Sequence, residues 1–235
     1  MTRRVAAAMP AFQVEAFVAD VVRRTLAVLP DLLVIDDGSS DHTGDVARSA
    51  GAEVLTMPHN LGKGAALQVA FREIFRRGCE AVVTLDADGQ HLPEEIPKLL
   101  RGWEEGGDLV LGTRDHLYSQ MGRLRRTSNR TSSRAISIVA GTRLKDVQTG
   151  FRLYTRALIA ATGFPEPRFE AETAVVVRAV RRGFPIITVP IDLGYADGIK
   201  TSHYRPILDS LRIAGAVARA RLERIPPSCE PWWAS

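Results

Sequence analysis

Short apolar runs alternate with amphipathic stretches through the first half of the chain, and this alternation constrains the fold more than any other feature. Residues 5–9 read as a strand. Residues 14–29 read as a helix with apolar positions at Phe17, Val18, Val21, Val22 and Leu26, and residues 32–35 as a buried strand running into Asp36 and Asp37. A helix opening near Asp41 stops at Gly51, the expected left-handed cap. A third strand covers 53–56, and a helix over 63–77 is closed by Gly78. Residues 81–85 form the next strand and end on Asp86. Strand–helix repetition of this kind predicts an α/β fold, a Rossmann-like and mostly parallel sheet with helices on both faces. Ligands of such sheets lie beyond the carboxyl ends of the strands. Two acidic pairs fall at those ends.

Past Pro93 the pattern predicts a helix over 94–103, a strand over 108–112, a basic helical stretch from about 123 to 140 and a strand within 147–154. A helix over 170–182, a strand over 186–193 and a last helix over 206–225 follow. That last helix sets Ile207, Leu211, Ala214, Ala218, Leu222 and Ile225 on one face, which is expected to pack on the sheet. The 235 residues suit one substantial domain, placed at 5–225, with residues 226–235 expected to form a loose tail around Trp232 and Trp233. No apolar run approaches the roughly 18 residues of a membrane span. The run at 5–9 stops at Pro10, so the N-terminus reads as a strand and not as a signal peptide. Cys79 and Cys229 have no paired spacing, which argues against a disulfide framework or a zinc site. A cytoplasmic location is the expectation.

Charge placement says more than the net value of +4. Residues 116–145 hold seven Arg or Lys and no acid, a block that needs an anionic partner or a well-solvated face. Arg123, Arg126, Arg130 and Arg134 fall on one helical stripe, with Arg125 on the other side. Base-stacking aromatics do not alternate with the block, so nucleic acid is not expected as a partner.

The chemistry concentrates at Asp86-Ala87-Asp88-Gly89-Gln90. In an extended segment residues i, i+2 and i+4 point the same way, which would let Asp86, Asp88 and Gln90 converge. Two carboxylates and an amide oxygen form a hard donor set suited to Mg²⁺ or Mn²⁺, with positions left open for waters and phosphate oxygens. The competing reading is a turn with exposed acids, helped by Gly89 and followed by Pro93. Asp36-Asp37-Gly38-Ser39-Ser40-Asp41 ends a neighbouring strand in the same way. A carboxylate there either accepts hydrogen bonds from a nucleobase or ribose, or caps the following helix, a role given to Asp41 or Ser40. Asn60-Leu61-Gly62-Lys63-Gly64 opens a helix with small residues and a lysine that could approach phosphates, yet it has neither P-loop nor G-x-G-x-x-G spacing.

Pro10-Ala11-Phe12, Asp36-Asp37-Gly38-Ser39, Gly62-Lys63-Gly64, Asp86-Ala87-Asp88-Gly89-Gln90-His91 and Asp146-Val147-Gln148-Thr149-Gly150-Phe151-Arg152 together resemble family 2 glycosyltransferases. Within them the chain looks most like the polyprenyl-phosphate branch, of the dolichol-phosphate mannose synthase type, over residues 5–213. The resemblance implies a GT-A fold, a nucleotide-sugar donor such as a UDP- or GDP-sugar, a divalent metal and inversion at the anomeric carbon. It implies that Asp36 and Asp37 hold the nucleoside with Pro10 and Ala11 lining the base. It implies too that Asp86, Asp88 and Gln90 bind the metal, with Ala87 in the donor loop, and that Arg114 and Arg125 address the phosphates. Asp146 is the candidate base. The first motif departs from the family's Pro-Ala-Tyr-Asn-Glu: Phe12, Gln13 and Val14 stand there, with Glu15 displaced by one. Near the C-terminus Lys200 and His203 occupy a variant of the branch's G-x-S-K element.

A lipid-phosphate acceptor would be mostly dianionic at neutral pH and would need no general base, whereas a sugar or alcohol acceptor would need a carboxylate in reach. The basic stretch fits an anionic acceptor. The arginines of the last helix, Arg205, Arg212 and Arg219, would suit peripheral contact with the inner face of a membrane. Glu170 and Glu172 begin a helix, where acids favour the dipole, and His91 is expected to hydrogen-bond within its loop. Two rival classes remain: a sugar nucleotidylyltransferase, for which the glycine-rich basic N-terminal signature is missing, and a non-catalytic nucleotide-sugar binding protein.

Overall fold

The computed structural model describes residues 4–114, 149–194 and 206–223, with the backbone alone at 206–210. Its order is β1 (Val5–Ala11), α1 (Glu15–Val28), β2 (Leu32–Asp36), α2 (Thr43–Ser49), β3 (Glu53–Thr56), α3 (Lys63–Arg76), β4 (Ala81–Thr84), a short 3-10 turn (Pro93–Glu95), α4 (Ile96–Glu104) and β5 (Leu109–Thr113). After the second described stretch begins come β6 (Arg152–Thr155), α5 (Arg156–Thr162), α6 (Glu170–Arg181), β7 (Ile186–Pro190) and α7 (Pro206–Leu222). The basic stretch with Arg123, Arg125, Arg126, Arg130 and Arg134, Asp146, the Lys200–His203 element, Arg205 and the 226–235 tail lie outside the described residues.

The seven strands form one sheet in the order β3-β2-β1-β4-β6-β5-β7. Period-two side-chain alternation divides its core into two layers. Ala6, Ala8, Leu33, Ile35, Val82, Leu109, Leu111 and Tyr154 face α3, α5, α6 and α7. Ala7, Met9, Val34, Val83, Val110 and Leu153 face α1 and α4 on the other side. Pro10 sits at the end of the central strand without loss. The β4 ladder stops at Ala8↔Thr84, so a missing N–H there breaks no bond on that side.

All pairings are parallel except those of β6, which runs antiparallel to β4 and to β5. The mostly parallel α/β expectation holds, and the inserted strand has a consequence for function. Being antiparallel, β6 begins where β4 ends. Residues 149–151 are thereby delivered to the edge where Asp86 emerges.

The last helix departs from its predicted face. Ala216, Val217 and Ala220 are buried, with Ile213 partly covered, and the helix packs on α6 instead of on the sheet. Leu211 and Leu222, placed on the packing face by periodicity, are 66% and 82% exposed. Small residues on the opposite side allow the closer approach to α6. Arg178 fixes the contact by reaching both Glu223 and the buried Glu166, and Arg181 donates to the carbonyls of Ala220 and Glu223.

Candidate active site

The site lies at the carboxyl edge of β1, β2 and β4, and a chain of supports builds it from β2 outwards. Asp37 is buried, and its two carboxylate oxygens accept the backbone N–H groups of Leu61 and Gly62, each at 2.8 Å. Burial pushes its carboxyl above the usual range, against the lowering by those two N–H groups and by nearby Arg168. Gly62 stands at φ +102, a left-handed conformation that glycine adopts without a Cβ clash. The turn it makes starts α3 at Lys63.

Lys63 then turns inwards. Its ammonium is 2.7 Å from Asp86 Oδ1 and 3.1 Å from Glu172 Oε2, and its side chain is only 12% exposed. Burial alone would lower its pKa, but Asp86 and Glu172 outweigh that and raise it, so it stays charged. Burial likewise acts to raise the Asp86 carboxyl. Lys63, with help from Arg114, overcomes it and holds Asp86 at about 2. Arg114, buried just past the end of β5, is near enough to Asp86 to help lower its pKa.

The Asp86–Gln90 segment is not extended, which corrects the geometric premise drawn from its sequence. Residues 87–89 turn, Gly89 takes φ +78, and Asp88 Oδ1 accepts the backbone N–H of Gln90 at 3.0 Å. Asp86, Asp88 and Gln90 are all half-buried and Ala87 is buried. His91 braces this turn. Its Nδ1 accepts the Asp86 N–H at 3.0 Å, which fixes the unprotonated nitrogen, and its ring stacks on Phe151. Burial lowers its pKa, so the ring is neutral. Behind the turn, Gly194 donates to the Gln90 carbonyl at 3.1 Å.

The second motif meets the first through β6. Thr84 donates its hydroxyl to the Gly150 carbonyl at 3.0 Å, and a Cβ on Gly150 would lie 2.5 Å from Lys63 Nζ and 2.9 Å from Asp86 Oδ2. Only glycine allows that approach. Arg152 is fully buried and ties the segment to α6, donating to the carbonyls of Thr149 and Glu172. Asp146 and Arg125 fall outside the described residues.

From sequence Glu172 reads first as a helix-dipole acid, with a role near the acceptor left open for it or Glu170. In the structure it is held against Lys63, and among the described residues its second oxygen is buried with no hydrogen-bond partner; one oxygen of Glu170 is in the same condition. The signal was present in sequence. Residues 171 and 173–177 are apolar or small on every side of the helix, so an acid among them must be buried and paired.

Asp36 is buried at the end of β2, accepting the Ser39 N–H at 3.0 Å, and Ala11 lies beside it in register, after Pro10 opposite Ile35. The helix cap differs from the expectation. His42 occupies the N-cap position, and Asp41, one residue earlier, accepts from the Thr43 N–H and hydroxyl. The displaced Glu15 is used locally, accepting the His42 N–H at 2.9 Å, while Gln13 adopts φ +52 and bonds Ser39 and Ser40.

No group of three His, Cys, Asp or Glu with metal-holding geometry occurs among the described residues. A hard cation fits the donor chemistry nonetheless. Asp86 is held ionised and half-exposed, Asp88 and Gln90 add oxygen donors within the same turn, and the remaining positions suit phosphate and water.

A family model described as Glycosyl transferase family 2 matches residues 7–163. Undecaprenyl-phosphate mannosyltransferase of Micrococcus luteus is 33% identical over 177 residues, 68% of this chain and 70% of that protein. Polyprenol monophosphomannose synthase of Mycolicibacterium smegmatis is 28% identical over 207 residues, 81% of this chain and 77% of that protein. Glycosyltransferase AglJ of Haloferax volcanii is 33% identical over 162 residues, and the chain spans only 52% of its length. The first two of these relatives bear out the resemblance to the polyprenyl-phosphate branch. Among solved structures, glucosyl-3-phosphoglycerate synthase of Mycobacterium tuberculosis in complex with UDP superposes with a TM-score of 0.74 at 22% identity, covering 97% of this chain and 82% of that one. Its complex with Mn²⁺, UDP and phosphoglyceric acid gives 0.71 at 20% identity, covering 97% and 81%. The likeness bears out the GT-A fold.

Proposed function

The chain belongs to glycosyl transferase family 2, and from that premise we propose that it moves a sugar from a nucleoside-diphosphate donor to a polyprenyl phosphate, with inversion at the anomeric carbon. The observation that carries the reading is the meeting of Gly150 with Asp86 and Lys63, because it joins the acidic turn to the described end of the D-x-Q-T-G-F-R motif, residues 149–152. The single domain proposed for this activity spans residues 5–225.

Pro10, Ala11, Asp36 and Asp37 form the nucleoside end, where β1 and β2 finish side by side. Asp86, Asp88 and Gln90 hold Mg²⁺ or Mn²⁺, which when bound neutralises charge on the departing diphosphate. Arg114 serves the phosphates directly, and Arg125 is assigned to the same task. Lys63 keeps Asp86 ionised and fixed. The unpaired Glu172 oxygen is suited to accept a hydroxyl of the donor sugar, since a buried acceptor without a partner costs about 1–3 kcal/mol until a ligand supplies one. A phosphate acceptor attacks as its own dianion and leaves the candidate base Asp146 no proton to remove, whereas a hydroxyl acceptor would need it.

The names of the relatives from Micrococcus luteus and Mycolicibacterium smegmatis support a polyprenyl-phosphate acceptor over a soluble sugar or alcohol. The work site is then the inner face of a membrane, reached from the cytoplasm. Among the described residues no helix is long and apolar enough to cross one. A thermal-shift screen of UDP-, GDP- and dTDP-sugars with Mn²⁺, repeated on Asp88→Ala, tests the donor half. One nucleotide sugar should stabilise the wild type and lose its effect in the variant. If none does, the reading fails. Transfer to polyprenyl phosphate, abolished by EDTA, tests the acceptor half, and turnover confined to a soluble acceptor would replace that half.

A further inference from the structure

Helix α7 is apolar on two opposite faces, and α6 covers only one of them. Ile213, Ala216, Val217 and Ala220 make the covered face. On the other side Leu211, Ala214, Ala218 and Leu222 are exposed at spacings of three, four and four, one stripe along the helix about 16 Å long. Its end residues are the most exposed large apolar side chains of the described residues, Leu211 at 66% and Leu222 at 82%. Arg212 and Arg219 flank the stripe on one side and Arg221 on the other, all exposed. Between residues 211 and 222 the sequence has no acid. Glu223, the acid that follows, is turned towards α6 by Arg178, with Nε donating to Oε1.

We propose that this outer face of α7 is a docking surface for an anionic lipid bilayer. The helix lies flat on the membrane, Leu211 and Leu222 enter the headgroup–acyl boundary, and Arg212, Arg219 and Arg221 meet lipid phosphates at either side. Apolar depth flanked by cations is the arrangement that an interfacial helix uses, and long arginine stems reach headgroups while their methylenes stay in the apolar zone. A second copy of the chain fits less well. Pairing two such faces would bring both sets of arginines together with no acid on either stripe to answer them, whereas anionic lipid supplies the apolar depth and the opposite charge at once. The helix is already formed and clamped to α6 by Arg178 and Arg181, so docking carries no folding cost. The surface rests on the proposed function only in giving an enzyme of lipid phosphates its route to them.

The test is sedimentation of the full chain with vesicles of phosphatidylcholine alone and of equimolar phosphatidylcholine and phosphatidylglycerol. The wild type should bind the anionic vesicles and lose affinity with added salt. Leu211→Glu/Leu222→Glu should weaken binding by more than about tenfold. Arg212→Gln/Arg219→Gln/Arg221→Gln should weaken it by about fivefold per arginine and remove most of the salt dependence. All substituted positions are exposed, so far-UV circular dichroism should be unchanged. Undiminished vesicle binding by both variants would overturn the surface. So would a wild-type dimer that Leu211→Glu/Leu222→Glu converts to monomer without any vesicle binding. Donor stabilisation measured on the same preparations keeps the two readings apart. If no nucleotide sugar acts on any form while vesicle binding follows the variants, the catalytic reading has failed and the docking surface stands.

Discussion

Lys63→Met removes the one cation that, among the described residues, bridges Asp86 and Glu172, while keeping most of the volume of the stem. At an effective dielectric of 20, charges at 2.7 and 3.1 Å attract by roughly 6 and 5 kcal/mol before desolvation is subtracted. The Asp86 side chain is 33% exposed, so solvent screens its share, and the contact with Glu172 at 8% exposure dominates. Breaking a buried pair by removing one partner costs about 3–5 kcal/mol, because the acid left behind has lost its counter-charge. For a chain of this size that is a fall in Tm of about 10 °C. The loss has a sign in pH. Asp86 is held at about 2 chiefly by Lys63, so its share of the stability is present above the ordinary carboxylate pKa and is lost as pH falls towards 2. The deficit of the variant against the wild type is therefore full at pH 7 and shrinks as pH is lowered from 4 towards 2. Urea denaturation across this range measures both quantities. A deficit below about 1 kcal/mol at pH 7, or one that does not shrink in acid, would refute the role given to the lysine.

Gly64→Ala sets two effects against each other: a helix-propensity gain of about 1 kcal/mol and a Cβ placed 2.3 Å from the Glu166 carbonyl oxygen, a backbone atom that cannot swing aside. The clash should win, with a net loss of about 2 kcal/mol seen in the urea midpoint; a stabilised variant would show that residues 166–168 yield easily. Asp146→Asn should lower transfer only a fewfold with a phosphate acceptor, whereas a loss of about a hundredfold would mean that a hydroxyl is being deprotonated. Burial raises the Tyr154 phenol to about 12 from an ordinary value of 10, so its contribution to stability is intact below pH 10 and lost as pH rises towards 12. Alkaline titration should show one tyrosine ionising only with unfolding, and early ionisation of all four would contradict it.

Strand and helix positions were legible because each half-buried strand and each one-sided helix carries its period in the sequence. The direction of β6 was not, since a four-residue strand pairs equally well either way on local grounds. Helix α5 was missed, although Thr155 caps it by accepting the Leu158 N–H at 3.2 Å. Period two misjudged Asp86–Gln90, where Gly89 at φ +78 turns the chain. The face of α7 was misjudged because both its faces are apolar, and the larger residues are not the buried ones when small residues allow α6 to approach. Motif matching found Asp86, Lys63 and Gly150 separately, but their contact comes from the fold. The glycines around Lys63 show the same limit. Gly62 and Gly64 read as small residues opening a helix beside a lysine that could approach phosphates, yet a Cβ on either would strike residues 166–168, and Ala65 donates to the Pro167 carbonyl at 2.8 Å.

The charges gathered in this pocket argue for a cation by themselves. Around the acidic turn, counted over the described residues alone, Asp86 and Asp88 with Glu172 behind Lys63 are formal anions, Lys63 and Arg114 are the cations acting on Asp86, and His91 is neutral. The balance of these five charged groups is one negative charge, at half-buried positions where screening is weak. A nucleoside diphosphate brought to such an edge is repelled. A divalent ion reverses the sign to one positive, and the same edge then attracts the diphosphate. The acids are therefore not positioned to meet the donor alone, and the Lys63 ammonium is held between two of them. It follows that UDP or GDP should stabilise the protein strongly only with Mn²⁺ or Mg²⁺ present, and that the ion should bind more tightly with nucleotide than without it, by the same factor in each direction. Equal nucleotide affinity in EDTA and in Mn²⁺ would mean that the positive charge comes from elsewhere in the chain.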